Sequence, residues 1–328
     1  MSTDLVLVQA YLSNMQFALQ NLDVSCARRL LEHTLELLEQ PCTTSLPLHL
    51  SMQMSVGVGL DTGVQRRGKP NEDFVFATTG VNVQTQETYG LFVVADGLGG
   101  HADGQLASRL GTETIVDIML PLLHSGRVQA SELGNRLADA ITRANDVIYE
   151  RNQRAVRLLG QMGTTITVTV VFGPHAFIAN VGDSRTYLYR PESGLRVITR
   201  DHSVVANLVA SGSIAPDDVY THPERNKILR SLGVASTVEI DLFYELLQNG
   251  DIVFLCSDGM WEMTRDSHLE QILSSPLSPE TMAEHLLDLA IRGGGRDNIG
   301  LVVSQCQMNV TAMQTVIQPL SHQDVIAS

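Results

Sequence analysis

Basic residues are scarce in this sequence. Lys and Arg total 22 against 36 Asp and Glu, a formal net charge of −14. A chain that gripped nucleic acid through its phosphates would show the opposite balance, so that class of partner is not expected. Cysteine is nearly absent as well. Cys26, Cys42, Cys256 and Cys306 show no CxxC spacing, which excludes a disulfide framework or zinc ribbon and suits a reducing compartment. No apolar run approaches the roughly 18 residues of a membrane span. The opening MSTDLVLVQA has no basic segment ahead of an apolar one, so no secretory leader is expected and the expected location is the cytoplasm. Several catalytic signatures are missing too: there is no HExxH, no His–Cys cluster at zinc spacing and no GxSxG elbow. Gly63–Pro70 matches the body of a phosphate-binding P-loop, but Pro70 stands where the Mg2+-binding hydroxyl belongs and no amphipathic helix follows. It is a decoy.

What is present suffices for a large core: 328 residues, 44% of them hydrophobic. Leu5, Val8, Leu12, Leu19, Leu30, Leu31, Leu35 and Leu38 predict a helical hairpin over residues 1–40, with Asp23 or Ser25 capping its second helix. A linker containing Pro47 follows. Residues 1–50 are thus expected to be a docking or oligomerisation extension. From Ser55 onward short runs rich in β-branched residues predict strands, among them YGLFVVA, TTITVTVVF, HAFIANV, DIVFLC and IGLVVSQ. Their short connections favour antiparallel pairing. Helices are predicted over 103–120 and 131–150, and a third opens at Ser278-Pro279-Glu280 and runs to Arg292. The expected fold class is α+β, with helices packed on β-sheets, over residues 51–306. Residues 307–328 lack periodicity and are expected to form a mobile tail.

Three apolar runs end alike, at Asp96-Gly97, Asp183 and Asp258-Gly259, and two further acids, Asp73 and Asp297, sit in the loop contexts PNEDF and RGGGRDN. A carboxylate just past a buried strand is rigidly held yet faces a cleft. Any one of these could be a turn former. Five converging together would repel strongly unless cations neutralised them, and an all-oxygen donor set suits Mg2+ or Mn2+. Arg66, Arg67 and Lys69 lie close enough in sequence to Asp73 to fork a phosphate, or else to line a solvated loop.

The series ADGLGGH (95–101), GTT (163–165), NVGDSR (180–185), DHS (201–203), CSDGMWE (256–262) and GGGRDNIG (293–300) resembles, in order and spacing, the metal-dependent protein phosphatases of type 2C, in their bacterial form. The resemblance spans about residues 55–306. It implies a four-layer sandwich, two antiparallel sheets flanked by helices, and an enzyme that hydrolyses phosphoserine and phosphothreonine on proteins through a water activated by two Mn2+ or Mg2+ ions. The implied partners are phosphoproteins made by a cognate Ser/Thr kinase. By the same resemblance Asp96 bridges the two ions, the Gly97 carbonyl completes the first, and Asp258 and Asp297 hold the second. Asp73, with Glu72, orders bound water, and Asp183 with Asp258 holds a third, weaker ion. Leu98 stands where many eukaryotic members have a His, leaving His101 either as general acid or as a loop-packing residue. The family's phosphate-binding Arg lies five residues before the first Asp. Arg67 is nearer that spacing than Arg66 and is the preferred expectation. Arg225, Lys227 and Arg230 fall in a segment that the resemblance makes a flap, or else a surface helix. Trp261 is read as core or cleft wall. A catalytically dead binding module or a metal-dependent phosphodiesterase would be the competing readings.

Overall fold

The strands are built from near-continuous apolar runs, because their residues are covered on both faces. In β10 (Ile252–Cys256), Ile252, Phe254 and Cys256 pack under helices, while Val253 and Leu255 enter a second core between two sheets. The computed structural model describes residues 48–98, 102–154 and 161–312, with side chains from Met52 to Met308. The expected hairpin over 1–40 and His101 lie outside the described residues, as do residues 313–328.

One sheet has the order β1 (Leu48–Asp61), β11 (Ile299–Ala312), β10, β7 (Arg185–Arg190) and β8 (Gly194–Val197). The other runs β2 (Asp73–Val81), β3 (Thr88–Leu98), β5 (Ile166–Phe172), β6 (His175–Val181) and β9 (Asp241–Leu246), with the two-residue β4 (Gly163–Thr164) beside β3. Antiparallel pairing joins β2 to β3, β3 to β5, β5 to β6 and β6 to β9, and in the first sheet β10 to both β7 and β11. Phe92, Val94, Ile178, Leu188, Leu255 and Val302 fill the space between the sheets.

Helices α1 (Ala102–Ser125) and α2 (Ala130–Arg154) cover the outer face of the second sheet. The expected stripe on α2, from Leu133 to Ile148, is fully buried. On α1 the expected Ile115 and Met119 are buried, but Leu106 and Leu110 are only half-buried. Small residues take their place: Ala107 and Ser108 are fully buried, and Ser108 Oγ donates to the Glu72 carbonyl at 2.6 Å. At Gly104, in the first turn of α1, even a Cβ would lie 2.8 Å from the Gly97 carbonyl oxygen.

A short α3 (Val204–Ala210) and a 3-10 turn at Pro216–Tyr220 lead into residues 221–232, which form turns and isolated bridges, not a surface helix. After β10 come α4 (Asp258–Trp261), α5 (Asp266–Leu273) and α6 (Pro279–Arg292). Met282, Leu286 and Ala290 of α6 pack with Phe254, Leu301 and Val303 of the first sheet, forming the fourth layer. Ser278 caps α6 as expected, its hydroxyl accepting from Thr281 N. β11 continues to Ala312, so residues 307–312, expected in the tail, are strand. Among the described residues no helix is long and apolar enough to cross a membrane.

Candidate active site

Adjacent strands β2 and β3 place Asp73 directly opposite Asp96. Asp183 follows β6, and Asp258 opens α4 just after β10, so the two sheets contribute carboxylates from their strand ends to one place. Asp297 precedes β11 and is about a third exposed. The carboxylates lie close enough to raise one another's pKa. Burial pushes the Asp96 carboxyl well above its ordinary range, and the charges of Asp258, Asp73, Asp183 and Asp297 push it further. Asp258 is raised likewise, by burial and then by Asp183 and Asp297. Burial raises Asp73 to about 7, against the hydrogen bond it accepts from Ser257. Asp183 also rises to about 7, through burial and then the charge of Asp201.

Glycine is required next to two of these acids, where the backbone is pressed against other backbone. A Cβ on Gly97 would lie 2.1 Å from the Gly104 carbonyl oxygen, and one on Gly259 would lie 1.9 Å from that of Asn298. The Gly97 carbonyl oxygen and Glu72 Oε1 both lie 2.8 Å from where a Cβ on Gly104 would stand, so they share one notch at the start of α1.

The residues fit a cation site by their donors. Glu72 Oε1, Asp73 Oδ1, Asp183 Oδ1 and Asp258 Oδ1 are buried without a hydrogen-bond partner. Orphaned carboxylate oxygens cost folding free energy unless something positive meets them. Among the described residues no three His, Cys, Asp or Glu side chains form a closed ligand cage as they stand; the open oxygens, not a finished cage, carry the fit.

One cation does reach the cluster. Arg66 Nη1 donates to Glu72 Oε2, Nε pairs with Asp297 Oδ1 at 2.8 Å, and Nη2 donates to Asp297 Oδ2 at 2.9 Å. Arg67 and Lys69 are exposed, and among the described residues neither has an ion pair. The preference for Arg67 rests on its spacing from Asp73. β1 ends at Asp61, and residues 65–68 form a turn in which Lys69 N donates to the Arg66 carbonyl, so a count of residues does not fix which Arg faces the acids.

Several residues of the site had no role in the sequence reading. Ser257 Oγ donates to Asp73 Oδ2 at 2.6 Å and accepts from Gly300 N at 2.9 Å. Thr165 Oγ1 accepts from Asp96 N at 3.0 Å. Asn298 Oδ1 accepts from Glu72 N at 2.8 Å, and its Nδ2 donates to the Thr62 carbonyl. Thr165, Ser257 and Asn298 all lie inside motifs already singled out for their aspartates or glycines, so their nearness in sequence to those residues was the available signal.

Residues 62–289 match the family model described as Protein phosphatase 2C. A serine/threonine phosphatase stp of Listeria monocytogenes serotype 4b is 34% identical over 220 residues, covering 67% of this chain and 86% of the relative. The structure of the Streptococcus agalactiae ("S. agalactiae") serine/threonine phosphatase superposes with a TM-score of 0.67 at 30% identity, covering 77% of this chain and 99% of that one. The catalytic domain of the phosphatase PstP, solved with two manganese ions, gives a TM-score of 0.65 at 30% identity, covering 79% of this chain and all of that one.

Proposed function

This chain belongs to the protein phosphatase 2C family, as a metal-dependent serine/threonine protein phosphatase, and we propose that the acids gathered at its strand ends are the catalytic centre. The observation that carries this assignment is the set of four buried carboxylate oxygens without partners around Asp96. In this reading Asp96, the Gly97 carbonyl, Asp258 and Asp297 would hold two ions, and Asp183 with Asp258 would hold a third, weaker one. Mn2+ or Mg2+, when bound, supplies an activated water and positive charge for phosphoryl transfer.

The chain's own groups do the rest. Ser257 holds Asp73 by one carboxylate oxygen, which leaves Oδ1 to accept from a water and orient it in line with the phosphorus. Glu72 Oε1 offers a second acceptor. Arg66 turns its guanidinium over the cluster and offers its remaining N–H groups to the phosphate oxygens of the substrate. The phosphorus–oxygen bond to the serine or threonine breaks as the water oxygen bonds to phosphorus; the water gives up one proton to solvent, and the departing oxygen receives one, with His101 assigned here as its donor.

The substrates are phosphoproteins. Their source in a cognate Ser/Thr kinase, a cytoplasmic location and the absence of nucleic-acid or membrane partners belong to the same proposal. The buried free thiols of Cys256 and Cys306 support the reducing location, and the charge of −14 supports the absence of nucleic acid. The division into an extension at 1–50, a catalytic unit at 51–306 and a tail belongs to the same proposal; by its internal contacts one compact unit spans Met52–Met308. The test is phosphate release from a phosphothreonine peptide by protein stripped with EDTA, with and without added Mn2+. Activity that needs Mn2+ supports the reading, and full turnover after exhaustive chelation rejects it.

A further inference from the structure

We propose that Trp261, braced by Arg185, is a positioning residue that fixes Asp183 against Asp258 and thereby sets how tightly that pair of carboxylates holds a cation. The inference rests on the function proposed above and deepens it at one pair of acids. Trp261 is the single tryptophan of the chain and is 2% exposed. It closes α4, the short helix whose first residue is Asp258. Its indole Nε1–H donates to the Asp183 carbonyl oxygen at 2.9 Å. One rigid ring therefore ties the helix bearing Asp258 to the backbone of Asp183, which comes from the other sheet.

The ring is held in turn. The Arg185 guanidinium carbon lies 3.7 Å from the ring centroid. Arg185 Nε donates to Asp201 Oδ1 at 3.0 Å, Nη2 to Asp201 Oδ2 at 2.7 Å, and Nη1 to the Tyr187 hydroxyl at 3.1 Å. With its side chain 13% exposed and these donors engaged, Arg185 is a brace for the indole and not a binder of substrate phosphate. Asp183 has its backbone pinned by Trp261 while its Oδ1 stays open. Filling space needs only an apolar ring. A donor aimed at this carbonyl, with a cation stacked behind it, serves alignment.

The experiment is calorimetric titration of the full-length, EDTA-stripped protein with MnCl2, comparing the parent, Trp261→Phe, and a variant in which Trp261 is replaced by 3-benzothienylalanine. The last keeps the two-ring shape and deletes only the N–H donor. Asp183→Ala identifies which binding phase depends on that acid. The expected result is a roughly 10- to 100-fold weakening of that phase alone, with tighter phases within about twofold and a thermal midpoint in EDTA within a few degrees of the parent. Retention of every phase in a folded variant overturns the proposal. So does a uniform weakening of all phases with a large drop in thermal midpoint, which would make Trp261 a packing residue. If Trp261→Phe does not fold, the benzothienyl variant decides by the same criteria. A parent that binds no Mn2+ at all would instead bring down the proposed function itself.

Discussion

Replacing Arg66 by Ala removes a guanidinium that pairs with Glu72 and Asp297 at the acidic cluster, and the consequences for substrate and metal should have opposite signs. Its contacts to Asp297 and Glu72 leave further N–H groups on Nη1 and Nη2 for a phosphate oxygen. A charge-assisted contact of this kind contributes about 1.5–3 kcal/mol. The side chain is 32% exposed, so solvent screening lowers the expectation to about 1–2 kcal/mol. That is about a 5- to 30-fold fall in kcat/KM, carried mainly by KM, with p-nitrophenyl phosphate at saturating Mn2+. Arg67→Ala, at an exposed position, should stay within about twofold. Metal affinity is the discriminating measurement. Arg66 is a positive charge in contact with Asp297, so its removal should leave Mn2+ binding unchanged or tighten it. An Arg66→Ala protein whose KM rises while its Mn2+ affinity falls would show that Arg66 merely props the ligands in place. A KM unchanged by Arg66→Ala but raised by Arg67→Ala would reverse the assignment.

The site makes three further expectations. Gly97→Ala should lower the thermal midpoint by an amount equivalent to about 1–3 kcal/mol, because the new methyl would have to displace the Gly104 carbonyl; a midpoint unchanged within a degree would refute the close approach. Asp96→Asn should abolish both turnover and the tight Mn2+ phases, whereas Asp183→Ala should slow turnover and spare them; equal loss of metal in the two variants would remove the case for a separate weak site. In EDTA, Asp73 and Asp183, raised to about 7 from 3.8, make the folded protein bind more protons than the unfolded chain between about pH 4 and 7. Stability of the metal-free protein should therefore fall as pH rises through that window. Saturating Mn2+ should flatten the slope, and identical slopes with and without Mn2+ would contradict it. The comparison cancels His175, which burial holds down at about 4 and which contributes stability lost as pH falls below 6.5 in both samples.

Elements whose signal is long and periodic were legible in the sequence. Asp96, Asp183 and Asp258 could be placed near strand ends because each follows an apolar run covered on both faces, although β3 runs on past Asp96 to Leu98, and α2 could be placed because its stripe from Leu133 to Ile148 repeats over about four turns of helix. The short elements were not. α4 and β8 have four residues each and β4 has two, too few for any period to show. The run VEIDLF predicts a strand from Val238, but pairing of Asp241 with Asn180 and of Leu246 with His175 sets β9 at Asp241–Leu246, so a partner strand and not local propensity fixes its ends. Which of Arg66 and Arg67 reaches the acids was not legible for a related reason: counting residues presumes a regular backbone, and the turn at 65–68 abolishes it.

The shortage of basic residues returns as a property of the site. With 22 cations for 36 acids, many carboxylates must do without a partner, and the fold does not distribute the shortage at random. Half-buried and buried acids around the sheets are matched with Arg: Asp251 with Arg190, Asp201 with Arg185, Glu245 with Arg196, Asp241 with Arg230, Glu262 with Arg225 and Glu72 with Arg66. Asp73, Asp96, Asp183 and Asp258 have no such ion pair among the described residues, and of the buried set they are the ones driven furthest toward protonation. An unpaired buried carboxylate normally costs several kcal/mol and is replaced by an apolar residue or matched with a cation. Four together, at the ends of strands from both sheets, are tolerable only if the cation is not a side chain. The pairing of these neighbouring acids makes the charge deficit local to Asp73, Asp96, Asp183 and Asp258, and this local deficit, more than any single motif, supports the proposal that a metal is held there.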